Sequence, residues 1–170
     1  MARLLAQLER ANVLIGRGVA WLTLTMVVVT FTIVVLRYLF GIGWIWLQES
    51  VTWMHAAVFM LGASYTLARD EHVRVDVFYR PARDRRRAVI DLSGTLLFLI
   101  PVALFLFWGS LDYVLASWAI QEGSGEAGGL IYPAVPLLKS LIPVTALLLL
   151  LQALVLGARS LGVLLGKPQP

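Results

Sequence analysis

Four stretches of the chain, Gly18–Leu36, Ser50–Ala68, Leu92–Leu111 and Ser140–Ala158, contain no Asp, Glu, Lys or Arg and consist mainly of Leu, Val, Ile, Phe, Trp and Ala. A helix of roughly 20 residues, rising about 1.5 Å per residue, crosses a hydrocarbon core of about 30 Å, and each stretch has that length. Backbone amides left unpaired in lipid are prohibitively costly, and these segments are about twice as long as barrel strands, so they are expected to be helices. The pattern predicts an all-α integral membrane protein with four transmembrane helices, over about residues 18–37, 47–68, 90–111 and 137–158. Residues 1–170 then form a single membrane domain, with no room for a water-soluble one.

The connections carry their own patterns. On a helical wheel, residues 1–17 place Leu4, Leu8, Ala11 and Ile15 on one narrow face with Leu5 at its edge, while Arg3, Gln7, Glu9, Arg10 and Arg17 lie elsewhere; Leu14 is the exception. An N-terminal amphipathic interfacial helix in the headgroup plane is expected, the alternative being an extension of the first span. The first apolar stretch is too long for a signal-peptide core and has no small-residue cleavage site, so it is read as an anchor that stays attached. Between spans one and two, Gly41 and Gly43 suit a tight turn and Tyr38, Phe40, Trp44 and Trp46 suit an interfacial aromatic belt, which predicts an antiparallel hairpin. Between spans two and three, Val73–Tyr79 alternates as an extended piece would, Pro81 suits a first helical turn, and Arg83–Arg87 reads as a basic collar of span three. Residues 112–139 form the longest connection on the opposite side, and Gly123, Gly125, Gly128, Gly129, Pro133 and Pro136 mark it as irregular. Pro101 and Pro143 each predict a kink or a local cavity.

Composition agrees: 59% of the residues are hydrophobic and 14% charged, against about 25% charged in soluble domains. Charge placement adds the topology. Arg3, Arg10 and Arg17 precede span one, seven arginines lie between spans two and three, and Arg159 and Lys167 follow span four. The alternate connections hold only Arg37 and Lys139, so the positive-inside rule places both termini in the cytoplasm, an N-in/C-in arrangement. Five acidic residues temper the basic connection, which argues against nucleic acid as a partner and leaves membrane lipid as the expected one.

Few residues invite chemistry. Arg37 and Glu49 are the only charged side chains from Gly18 to Ala68, and the turn between them suggests a structural ion pair near the interface. His55 lies about two turns into span two, where an ionisable group should face protein or water. A haem held by two imidazoles would need a second intramembrane histidine, and the other histidine, His72, follows Arg69-Asp-Glu71. His72 and Asp76 are too few for a convincing metal site. No nucleophile elbow, His-Glu-x-x-His or phosphate loop is present, and there is no cysteine. Gly123–Gly129 has no strand or helix start to organise an anion nest and is read as a flexible loop. Apart from His55, the spans are read as offering only Ser and Thr hydroxyls, too little to coordinate a substrate; neither a catalytic residue, a cofactor nor a metal is expected.

The run Leu36-Arg-Tyr-Leu-Phe40, then Trp46-Leu-Gln-Glu49, Leu61-Gly-Ala-Ser64 and Arg69-Asp-Glu-His-Val-Arg-Val-Asp76 resembles the small membrane subunit of tripartite ATP-independent periplasmic (TRAP) transporters. The segment Lys139-Ser-Leu-Ile-Pro143 is similar as well. The resemblance implies a bacterial inner-membrane subunit that is not an enzyme. It would scaffold a large TRAP membrane subunit and help dock a periplasmic substrate-binding protein for sodium-driven uptake of organic acids. It also implies that Arg37, Tyr38, Trp46 and Glu49 belong to the outer hairpin, and His72, Arg74 and Asp76 to the cytoplasmic loop, as structural or partner contacts. Family members often carry two adjacent acids where this chain has Gln48-Glu49. The alternative of another class is a haem- or quinone-binding membrane anchor of a redox enzyme, resting on His55.

Overall fold

The computed structural model describes residues 2–72, 79 and 81–166. The alternating segment from Val73, with Arg74 and Asp76, lies outside the described residues, as do Arg80 and Lys167. Among the described residues all regular structure is helical: α1 (Ala2–Phe40), α2 (Ile45–Ala68), α3 (Asp84–Gly94), α4 (Ile100–Ala119) and α5 (Ala134–Leu164). A π turn, Thr95–Leu99, joins α3 to α4 into one rod, so four helices are long and apolar enough to cross a membrane.

The N-terminal segment is not a separate element. α1 runs unbroken through Gly16, Arg17 and Gly18, so residues 2–17 continue the helix of the first span. The reason is a shared face: Asn12, Gly16, Val19, Leu22, Met26, Val29, Ile33 and Leu36, spaced by three or four residues, are all buried or half-buried. One packing stripe therefore passes through both segments, and no proline interrupts it. At the far end a φ of +66° at Gly41 turns the chain into α2, and the two helices pack along each other as the expected hairpin.

Pro101 explains the π turn. Proline has no N–H and its ring collides with the carbonyl four residues back, so an α-helical ladder cannot pass through it unchanged. Here the ladder widens just before it, with the Ile100 N–H bonded to the Thr95 carbonyl five residues away, while Thr95 Oγ1 donates to the Asp91 carbonyl at 2.7 Å. Pro143, by contrast, sits inside an unbroken α5. Pro81 precedes α3 instead of joining its first turn; Arg83 is the N-cap, and Asp84 supplies the negative charge that a helix start favours.

The α5 helix is the centre of the bundle and touches α1, α2, α3, the π turn and α4. Its buried positions include Thr145, Ala146, Gln152, Ala153, Val155 and Ser160. α4 answers with Ala103, Ser110, Val114 and Ser117, and α2 with Met54, Ala57 and Ser64. Small side chains dominate because helices in lipid gain little from hiding apolar surface and associate by close backbone approach. Gln152 corrects the reading of the spans as bare: its Oε1 accepts a hydrogen bond from Asn12 Nδ2 at 3.1 Å, with both residues buried. Two turns nearer the C-terminus, Arg159 pairs with Glu9 at 2.5 Å.

Gly16 is the tightest point of the α1–α2 contact, since a Cβ there would overlap the Tyr65 ring. Gly16→Val is expected to destabilise the purified protein by about 1–3 kcal/mol through overpacking. Gly18→Val, with nothing within 4 Å of its added Cβ, should lose much less; thermal unfolding of both variants in detergent checks the difference.

Candidate functional site

One set of polar residues outside the spans converges at the end of the bundle that holds the α1–α2 turn and the α4–α5 connection. Glu49, in the second turn of α2, is half-buried. One carboxylate oxygen accepts a hydrogen bond from the Ser124 hydroxyl, and the other accepts the Leu130 backbone N–H at 2.6 Å. Gly129 belongs to the same cradle: an added Cβ would overlap Ser124 and lie 2.7 Å from Glu49 Oε2. The loop closes on itself through Ser124 N–H to the Leu130 carbonyl at 2.9 Å and Gly129 N–H to the Glu126 carbonyl at 3.0 Å. It reaches α2 a second time through the Trp46 N–H, which donates to the Gly128 carbonyl at 3.1 Å. Residues 123–130 are thus an anion cradle whose anion is a side chain of the same chain, not the flexible loop expected from their glycines.

A second cluster ties the two ends of the connection together. The Lys139 ammonium donates to Glu122 Oε2 at 2.5 Å, Ser117 Oγ donates to the same oxygen at 2.6 Å, and Lys139 lies 4.1 Å from the centre of the Tyr113 ring. These donors, Lys139 first, hold the Glu122 carboxyl below the usual glutamate range. Trp118 Nε1 donates to Ser140 Oγ at 3.0 Å, and Trp53 Nε1 donates to the Ala134 carbonyl at 3.1 Å. Beside this frame, an apolar groove of about 470 Å³ is lined by Trp53, Met54, Ile131, Tyr132 and Leu137.

The arrangement corrects the expected Arg37–Glu49 ion pair. Both Glu49 oxygens are taken by donors from the far loop, whereas Arg37 is exposed in the last turn of α1, where a cation complements the helix dipole. Tyr38 is exposed beside it, and Trp46 is exposed and stacked on Trp44 with ring centres 6.0 Å apart. The fold therefore brings Trp46 and Glu49 to one site and leaves Arg37 and Tyr38 outside it. His72 is exposed just beyond α2; Arg74 and Asp76 lie outside the described residues. Among the described residues no three His, Cys, Asp or Glu side chains are placed to hold a metal ion. His55 points outward on α2 and supports no haem or quinone site by itself. At the other end of the bundle, a cavity of about 820 Å³ is lined by residues that include Asp84, Asp91, Gln152 and Arg159.

Residues 26–161 match the family model described as tripartite ATP-independent periplasmic transporters, DctQ component. The chain belongs to that family. It is similar to the C4-dicarboxylate TRAP transporter small permease protein DctQ of Vibrio cholerae serotype O1 (strain ATCC 39315 / El Tor Inaba N16961), with 34% identity over 91 residues. That alignment takes in 52% of this chain and 38% of the relative, so it spans well under half of the relative's length. No solved structure matches. As a DctQ component the chain is a multi-pass membrane part of a transporter, and the comparisons give no support to the redox-anchor alternative.

Glu49→Ala is expected to release the 123–130 loop while leaving the helices in place, which limited proteolysis together with far-UV circular dichroism would register as faster loop cleavage at unchanged helicity. Gly129→Val should do the same by filling the cradle. The tie at Glu122 has a defined pH sense. Its folded value is depressed, so its contribution is complete above the ordinary glutamate value of about 4.3 and disappears as pH falls through the lower folded-state value. Hydrogen exchange at residues 120–123 should stay slow to below that ordinary value and then rise, and Glu122→Gln should remove the transition.

Proposed function

We propose that this chain is the small permease subunit of a TRAP transporter. It scaffolds a large transport subunit in the bacterial inner membrane, with both termini in the cytoplasm, and helps a periplasmic binding protein dock for sodium-driven uptake of organic acids. The family match across residues 26–161 carries this reading. The geometry agrees with it, because several polar groups near the membrane are used within the chain: Glu49 on the loop, Glu122 on Lys139, Asn12 on Gln152 and Glu9 on Arg159. A subunit that carried solute alone would need such groups, and broken helices, at mid-membrane depth to receive it.

In this reading the cradled loop and the exposed aromatic turn, Tyr38, Trp44 and Trp46, form the periplasmic surface. Arg37 is available there for a partner's acid, and His72, Arg74 and Asp76 lie on the cytoplasmic side. The loop's rigidity matters because a surface already ordered before docking loses less conformational entropy on binding. The chain performs no chemistry of its own.

Affinity purification of the tagged chain from its native membrane is expected to recover a large multi-span permease. A redox enzyme in its place, or this chain alone with measurable solute flux in vesicles, would overturn the reading.

A further inference from the structure

Between Glu49 and Arg69, His55 is the one residue of α2 that is Asp, Glu, His, Lys or Arg. At about 1.5 Å per residue it lies roughly 9 Å below Glu49 and about 21 Å from Arg69, well inside a hydrocarbon core of about 30 Å. It is exposed, and it has no hydrogen-bond partner among the described residues. An imidazole facing lipid at that depth is costly; such groups face protein or a water-filled cavity. A hydroxyl can escape the problem by folding back on its own helix, as Thr25 does to the Trp21 carbonyl at 3.2 Å, Thr32 to that of Val28 at 2.8 Å and Thr66 to that of Ala63 at 3.0 Å. Histidine has no comparably short reach to its own backbone. Thr52, three residues earlier on the same exposed face, also makes no side-chain hydrogen bond among the described residues.

The surrounding stripe has the form of a helix-binding face. Thr52, His55, Phe59, Gly62 and Thr66 are spaced 3, 4, 3 and 4 residues apart, the heptad-like repeat by which one face follows a neighbouring helix with a slight supercoil. Phe59 is 75% exposed, and a Cβ added at Gly62 would meet nothing within 4 Å, which leaves room for another backbone to come close. α4 shows lipid a different surface: Val102, Phe105 and Trp108 are exposed and wholly apolar or aromatic.

We infer that the Thr52–His55–Phe59–Gly62 stripe of α2 is where a transmembrane helix of the large permease subunit packs, and that this helix supplies the hydrogen-bonding group that His55 lacks. The inference rests on the reading of the chain as a small permease subunit. His55 acts here as an assembly contact, not as a ligand for solute or haem.

The test uses the intact complex. A photoreactive benzoylphenylalanine is placed in turn at Thr52 and Phe59, and at Phe98 and Phe105 as apolar-face controls, in chain co-expressed with its neighbouring permease. Cross-links to the large subunit are expected from positions 52 and 59 and not from 98 and 105. In parallel, His55→Leu should reduce recovery of the large subunit several-fold while His55→Gln, which keeps a hydrogen-bonding group, should retain it. Neither variant should lower the thermal stability of the isolated chain, since the side chain is exposed there and makes no hydrogen bond among the described residues; a shared loss of stability would mean a role within the chain and overturn the inference. A recovered complex that cross-links only from 98 and 105, or links 52 and 59 to a second copy of this chain or to lipid, would overturn it while sparing the subunit reading. Failure to recover any large subunit would overturn both.

Discussion

Close approach to α5 is the constraint on which the rest of the structure depends. In water a bundle is held by hiding apolar side chains, but in hydrocarbon that gain is nearly absent, so helices must find one another by packing at short range. α5 meets the requirement with Ala146, Ala153 and Val155, all fully buried, and with Thr145 and Ser160. α4 lays Ala103, Ser110, Val114 and Ser117 against it, and α2 lays Ala57 and Ser64. α1 stands apart: it packs mainly along α2, touches α5 less, and keeps most of its apolar surface outward.

Because apolar contact is only weakly selective in lipid, a few polar ties set the register. They gather at the two ends. At one, Glu9–Arg159 and Asn12–Gln152 bind the beginning of α1 to the last turns of α5, with Gly16 letting α1 settle against Tyr65. At the other, Glu49 holds the α4–α5 connection down on α2, and Trp53 and Trp118 donate to the first turns of α5. Among the described residues, the polar ties between α1 and α5 lie in the part of α1 that precedes its charge-free span. The extension expected to lie in the headgroup plane thus shares in the packing.

Long charge-free windows made the four spanning helices legible, since length and hydropathy leave few alternatives in a bilayer. Tertiary pairing was less legible. Arg37 and Glu49 are near in sequence and opposite in charge, yet Glu49 is satisfied by Ser124 and Leu130, more than 70 residues away, through a neutral hydroxyl and a backbone amide. No charge pattern announces donors of that kind. Four glycines within residues 123–129 read as freedom, whereas Gly129 is required because the Ser124 side chain and the Glu49 carboxylate stand where its side chain would be. Gln152 was legible in principle: an amide within a run of leucines is costly in lipid unless paired, and the missing inference was that another polar residue, Asn12, had to lie opposite.

The cradle also bears on Gln48, the neighbour of Glu49, where the family resemblance leads to the expectation of a second acid. A carboxylate has two oxygens, and here each receives one strong donor from a single loop, so one acid is enough to seat that loop. Residue 48 is exposed and outside the cradle. A second negative charge there would face solvent or a partner and would add no bond to the loop. A neutral amide at this position therefore leaves the internal architecture intact and bears only on the charge that this end of the bundle presents. The two positions, adjacent in sequence, are placed differently: Glu49 seats the loop, and Gln48 stands exposed beside it.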